Sequence, residues 1–320
     1  MVMQVIQISL HDIPILHNDV CACIGYFDGI HKGHQQLIHK CMEISKEKHI
    51  KSSMITFDPD PYALFHPELK IEHITPLKDR IELAKAFGMD YVYILNFSKE
   101  MASLDVQSFH TLLNDLKVMH LVCGFDFKYA SKNSGNIETL KNQSFGLTII
   151  DSINDEYAKI SSSRIEPIIK EGNILKANQL LGYIYSISGI VVHGFKRGTT
   201  ILQVPTANLS YTDEYVLPKV GVYAGYALIE NRMYTAMINI GSNPTFENKT
   251  LTIEGHILDF SKEIYDAHIR FYFYQFIRDE MKFDSLEALK NQLQKDIETT
   301  KHISSFENEL YTMTSKLWII

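Results

Sequence analysis

The chain has few cysteines, no surplus of positive charge and no long hydrophobic run, and each scarcity removes a class of protein. The four cysteines, Cys21, Cys23, Cys41 and Cys123, all fall in the first half of the 320 residues and show no Cys-x-x-Cys spacing. That pattern excludes a disulfide-stapled scaffold and a standard structural zinc site, and it predicts a reducing compartment, the cytoplasm. Lys and Arg total 31 against 38 Asp and Glu, for a formal charge of -7. With both signs mixed along the chain, neither a nucleic-acid face nor a polybasic membrane patch is expected. Anionic ligands must be held by local groups against the overall field. Long hydrophobic runs are missing too. Met1 to Pro14 has no basic segment leading into an apolar one, and no run approaches the roughly 20 residues that span a bilayer. A soluble protein without a membrane partner is expected.

What is present suits two globular domains. Hydrophobic residues make up 45% of the chain, and the length fits two domains of roughly 100–200 residues each. The most informative stretch follows the apolar run Val20 to Ile24: Gly25-Tyr-Phe-Asp-Gly-Ile-His-Lys-Gly-His34. After it, Leu37, Ile38, Cys41 and Ile44 recur at helical spacing. The reading is strand, tight turn at Asp28-Gly29, then a helix whose first turn carries His31 and His34 on one face. A helix start offers unpaired N–H groups and the positive end of the dipole, a place for phosphate. Gly33 removes a side chain where a ligand oxygen would approach. A bare His-x-x-His pair is more often a structural or surface feature than a site.

The rest of the first half alternates strands and helices. Strands are expected at Ser53–Phe57, Tyr91–Leu95 and Met119–Cys123, and helices at Leu77–Phe87, capped by Thr75-Pro76, and Val106–Leu116. This rhythm argues for a parallel sheet with helices on its faces and ligands at the carboxyl ends of its strands. After a short helix, Ile174–Leu181, the character changes to aromatic and β-branched runs punctuated by glycine. A small antiparallel barrel or sandwich is expected there. The boundary is drawn to give domains 1–183 and 184–320. In this half Thr206 and Asn208, two apart, share one side of an extended strand and suit Mg²⁺. Across Leu251–Phe260, Ile253 and Ile257 face one way and Glu254 and His256 the other. A terminal helix from Phe283 carries Leu286, Leu289, Leu293 and Ile297 on one stripe, with Asp284 or Ser285 as its cap.

The long histidine-bearing string resembles the nucleotide-binding signature of the HxGH nucleotidyltransferases. In its Phe-Asp-Gly-x-His form it is similar to the adenylyltransferase half of bacterial bifunctional riboflavin kinase/FAD synthetases. Thr56-Phe-Asp-Pro-Asp-Pro61, Gly124-Phe-Asp-Phe-Lys-Tyr-Ala-Ser-Lys-Asn-Ser-Gly135 and Ile160-Ser-Ser-Ser-Arg-Ile-Glu166 resemble further motifs of that half. Pro205-Thr-Ala-Asn-Leu209, Asn239-Ile-Gly-Ser-Asn-Pro-Thr-Phe246 and Glu254-Gly-His-Ile-Leu-Asp-Phe260 resemble the flavokinase half, in the same order.

The resemblance implies a Rossmann-like nucleotidyltransferase domain with a parallel sheet, followed by a β-barrel flavokinase domain with a C-terminal helix. Its substrates would be riboflavin, FMN and ATP, with Mg²⁺. Implied catalytic groups are Glu254, as base on the ribityl 5′-hydroxyl, and His31 and His34. Implied nucleotide ligands are Gly25, Phe27, Asp28, Gly33, Ser161, Ser162, Ser163 and Arg164. Asp126 and Phe127 fall in the implied flavin site, and Thr206 and Asn208 on the metal. The chain departs from the family pattern at Asp60 (His in the family), at Asn133 and Glu166 (both Arg), at Asn243 (Arg), and in a longer loop at 198–204. Each side-chain change removes a donor or cation. Two alternatives follow: a divergent relative keeping one activity, the kinase, or a non-catalytic flavin- or nucleotide-binding regulator.

Overall fold

In the computed structural model, which describes residues 2–193, 206–212, 214–242, 251–304 and 309–318, the apolar runs of the first half become six parallel strands. The elements are β1 (Gln4–Ile8), β2 (Val20–Ile24), α1 (Lys32–Lys48), β3 (Lys51–Asp58), α2 (Pro61–Phe65) and α3 (Leu77–Phe87). They continue with β4 (Tyr91–Asn96), α4 (Lys99–Ser103), α5 (Val106–Asp115), β5 (Val118–Gly124), α6 (Ile137–Leu140) and β6 (Gly146–Ile150). The sheet order is β1-β4-β3-β2-β5-β6. Strand β2 lies at its centre and every residue of it is buried, as expected for a parallel strand covered on both faces. Cys21, Cys23, Cys41 and Cys123 are all buried free thiols there. Burial pushes the Cys123 thiol up to about 12, so it serves as a small apolar side chain.

From β2 the chain steps to β3 on one side, and later to β5 on the other. The carboxyl ends of β2 and β5 therefore flank a topological switch point, where such sheets bind ligands. Helix α3 ends at Gly88 in the left-handed conformation, as its sequence predicts. Its start differs from expectation. Pro76 occupies the N-cap without a side-chain bond, because the Thr75 hydroxyl is used by the Gly25–His34 loop instead.

The chain separates into two compact units, residues 1–162 and 163–320. Helix α7 (Ser162–Lys170) starts at that junction, followed by α8 (Ile174–Leu181), β7 (Ser186–Val192), β8 (Thr206–Ser210), β9 (Gly221–Ile229) and β10 (Arg232–Ser242). Then come β11 (Leu251–Ile257), β12 (His268–Arg278), α9 (Leu286–Ser304) and α10 (Glu309–Trp318). The six strands close into an antiparallel barrel in the order β10-β11-β8-β7-β12-β9. Glu230 and Asn231, at φ 48 and 62, make the two-residue turn between β9 and β10. A left-handed pair of this kind matches the twist of the flanking strands. Helix α8 is tied to the barrel by buried Asn178, which donates to the Phe273 carbonyl at 2.9 Å and accepts from the Tyr185 amide at 2.7 Å.

The terminal helix departs from its expected packing. Ser285 does cap it, accepting from the Ala288 amide at 3.1 Å. Leu286, however, is 53% exposed, while the residues driven inward are polar, Asp296 and Thr300. Asp296 receives three hydrogen bonds of 2.7–3.1 Å from Arg278 at the end of β12. The rest of the stripe, Leu289, Leu293 and Ile297, is half-buried, and the ion pair fastens α9 beside it.

Candidate active sites

At the end of β2 the chain leaves the sheet through Gly25, and Phe27 adopts left-handed backbone (φ 61) to begin the Asp28–Ile30 turn. Asp28 turns inward. Its carboxylate accepts from the Thr75 amide at 2.8 Å and the Ile74 amide at 3.2 Å, and the Thr75 hydroxyl in turn accepts from the Gly29 amide at 2.6 Å. Burial pushes the Asp28 carboxyl up, opposed by the Thr75 hydrogen bond and by nearby His73 and Arg80. The Ser162 hydroxyl donates to the Asp28 carbonyl at 2.8 Å, so the serine motif and the turn are linked through backbone.

His31 is the N-cap of α1 and not a residue of its first turn: its Nδ1 accepts from the His34 amide at 3.3 Å. The two imidazoles stack with centroids 3.8 Å apart, and the Phe27 ring meets His34 edge-on at 5.2 Å. Burial lowers the His31 pKa to about 4. It lowers that of His34 well below the ordinary value, helped by the charges of Lys159 and Arg80. Both shifts favour the neutral imidazole. Gly33 has a reason that sequence spacing does not show. A Cβ there would stand 3.1 Å from Cε1 and 3.2 Å from Nδ1 of the His31 ring, so glycine lets that ring fold over the helix start.

Beside this turn opens a cavity of about 830 Å³, lined by Tyr26, Phe57, Phe97, Phe109, Phe127 and Tyr129 among others, with Lys99, Lys128, Lys132 and Asn133 also on its walls. Phe127 stacks on Tyr129 at 5.5 Å. Tyr129 is held from behind by His110 Nε2 at 2.6 Å and by Thr139 at 2.8 Å. Asp126 does not line the cavity; it is exposed and ion-paired to Lys159. The departures have local explanations. Asp60 caps α2 by accepting from the Tyr62 amide at 2.6 Å, and Glu166 pairs with Lys170 at 2.6 Å.

In the second unit, strand register assembles the other cluster. Asn208 pairs with Glu254 and Thr206 with His256 across β8 and β11. Ala207, Leu209, Ile253 and Ile257 are buried inside the barrel, which leaves the four polar side chains on its outer face. Asn239 of β10 pairs with Glu254 from the other flank, and Val192 of β7 with Asn208. Burial pushes the Glu254 carboxyl up. Thr206 and Asn208 present a hydroxyl and an amide oxygen to one side, hard donors that fit Mg²⁺ with its remaining waters. The 198–204 loop with Gly198, Lys196, Arg197, Pro205 and Asn243 lie outside the described residues.

Known proteins divide along the same line. A riboflavin kinase family model matches residues 181–304 and an FAD synthetase model residues 14–164. A bifunctional riboflavin kinase/FMN adenylyltransferase of Listeria monocytogenes is 39% identical over 284 residues, 87% of this chain and 90% of that protein. The chain belongs to the bifunctional riboflavin kinase/FMN adenylyltransferase family. The Escherichia coli K12 member is 30% identical, over 90% of this chain and 94% of its own. A crystal structure described as a macrolide-efflux protein from Streptococcus pneumoniae shares the fold, with a TM-score of 0.84 and 35% identity over 92% of this chain and 98% of that one. Among the described residues here, no helix is long and apolar enough to cross a membrane.

Within this bifunctional family pattern, the structure adds residues that motif reading passed over. Thr75 holds Asp28, Arg80 sits beneath Tyr26, and His110 backs Tyr129. Each lies in a stretch whose local pattern is that of an ordinary helix or loop, so only long-range packing reveals it.

Proposed function

We propose that the chain makes FMN and then FAD. Residues 184–320 phosphorylate riboflavin with ATP and Mg²⁺, and residues 1–183 join FMN to the AMP moiety of a second ATP. Small molecules are its partners and the cytoplasm its location. The observation that carries the reading is the register placing Glu254 opposite Asn208, with Thr206 on the same outer face.

In the kinase, Glu254 accepts the proton of the ribityl 5′-hydroxyl as its oxygen attacks the γ-phosphorus, and the bond to ADP breaks. A carboxylate with a raised pKa is the stronger base. Thr206 and Asn208 hold Mg²⁺, which when bound neutralises phosphate charge. In the adenylyltransferase, an FMN phosphate oxygen attacks the α-phosphorus and pyrophosphate leaves, so no protein nucleophile is required. His31 and His34 donate N–H groups to the developing charge, as a preorganised oxyanion site does. Asp28, fixed by Thr75, holds the nucleotide together with Gly25, Phe27, Gly33, Ser161, Ser162, Ser163 and Arg164. The aromatic cavity takes the isoalloxazine against Phe127.

Incubation with riboflavin, ATP and Mg²⁺, resolved by chromatography, tests this. Both FMN and FAD are expected. FMN alone would leave a kinase, and unchanged riboflavin that nonetheless binds would leave a regulator.

A further inference from the structure

We propose that Arg80, in the first turn of α3, is a positioning residue for adenylyl transfer, clamping the end of β2 to the end of β3 so that the Gly25–His34 loop is held against the aromatic cavity. The inference rests on the adenylyltransferase reading of the first unit. Arg80 is only 1% exposed. Its Nη1 donates to the Tyr26 carbonyl at 2.8 Å and to the Thr56 hydroxyl oxygen at 2.9 Å. Its guanidinium lies 4.3 Å from the Tyr26 ring centroid, with Nη2 3.4 Å from the ring hydroxyl. The Thr56 hydroxyl donates to the same Tyr26 carbonyl at 2.9 Å. A residue of α3 and a residue of β3 thus converge on one backbone oxygen, immediately before the left-handed turn at Phe27.

The direct contacts of Arg80 do not by themselves call for a cation, and Asp28 is the charge its field reaches. Taking a guanidinium out of water costs several kcal/mol. Those two acceptors are neutral, and Nε has no hydrogen-bond partner. An apolar side chain would fill the same space without that penalty. What arginine adds is a planar group that donates from Nη1 to both oxygens while its face stacks on the Tyr26 ring, a combination lysine does not offer. It also adds a fixed positive charge whose field reaches Asp28 and His34. That charge favours the Asp28 carboxylate and disfavours a proton on His34, so the imidazole stays an N–H donor.

The test uses the full chain, with initial rates of FAD formation from FMN and ATP·Mg²⁺ for Arg80→Gln, Arg80→Lys and Thr56→Val. FMN formation from riboflavin on the same molecules normalises for active protein, and thermal unfolding reports on the first unit. Arg80→Gln is expected to lower kcat for FAD formation about 10²-fold, the scale of an ångström-size misplacement, with KM for FMN unchanged. Arg80→Lys should recover part of that loss, and Thr56→Val should lose less than Arg80→Gln. A folded Arg80→Gln chain with wild-type kcat overturns the proposal. If Arg80→Gln unfolds the first unit, Thr56→Val decides: wild-type kcat there overturns the proposal, and a lowered kcat with intact unfolding supports it. A wild-type chain that makes no FAD from supplied FMN overturns the adenylyltransferase reading itself, and the clamp with it.

Discussion

Glu254 illustrates how a single position acquires chemistry from its neighbours. On an isolated strand it would be one more surface carboxylate, but here Asn208 and Asn239 flank it from both adjacent strands and burial raises its pKa. Replacing it by Gln removes the proposed base and keeps the shape, so FMN formation should drop about 10²–10⁴-fold. FAD formation from supplied FMN should persist, as paired rate measurements will show. Because the pKa is raised, the acid limb of the kinase pH profile should lie above the ordinary carboxylate value of 4.5. His31 makes a different prediction, about stability. It is 5% exposed and neutral when folded, with a pKa of about 4 against an ordinary 6.5. Between those values the unfolded chain binds a proton that the folded one refuses. Stability present at neutral pH is therefore lost as pH falls from 6.5 to about 4, by about 3 kcal/mol from this group. His31→Asn keeps an N-cap acceptor and should flatten that part of the first unit's stability–pH curve in chemical denaturation.

Elements show where local pattern was a sufficient guide and where it was not. Alternation in Leu251–Ile257 was enough to put Glu254 on the outside, since a strand has only two faces and the isoleucines chose the inner one. The stripe on α9 is half-buried at Leu289, Leu293 and Ile297, but its pattern gives no sign that Asp296 is buried against Arg278. Asp296 stands among Gln294, Lys295 and Glu298, a run indistinguishable from a solvated helix surface until β12 brings Arg278 to it. Asp296→Ala leaves a largely buried guanidinium unpaired, and should destabilise the second unit by about 3–5 kcal/mol, seen as a lower Tm for kinase inactivation. The aromatic cavity is likewise built from loops and helices that follow several strands. Phe127→Ala should raise KM for FMN in FAD formation about 3–10-fold, the worth of one ring contact, with the kinase KM for riboflavin unchanged.

At the scale of the whole molecule, the two clusters fall in separate compact units with separate chemistry. Chelating Mg²⁺ should abolish FMN formation, and restoring the ion should recover it, followed by the same chromatography. Sequence alone determined the order of parts: a β-α-β half, a strand-rich half, a histidine motif at a strand end, and a Thr206–Asn208 pair upstream of Glu254. These were legible because helix and strand periodicity, turn glycines and short motifs are local properties of the chain. Only the tertiary structure decided which residues separated in the chain stand together: Thr75 on Asp28, Arg80 under Tyr26, Glu254 beside Asn208, Asp296 on Arg278. Strand order, register and barrel closure arise from burying apolar surface over the entire fold. No short window of sequence contains the partner that makes a buried charge or a carboxylate functional.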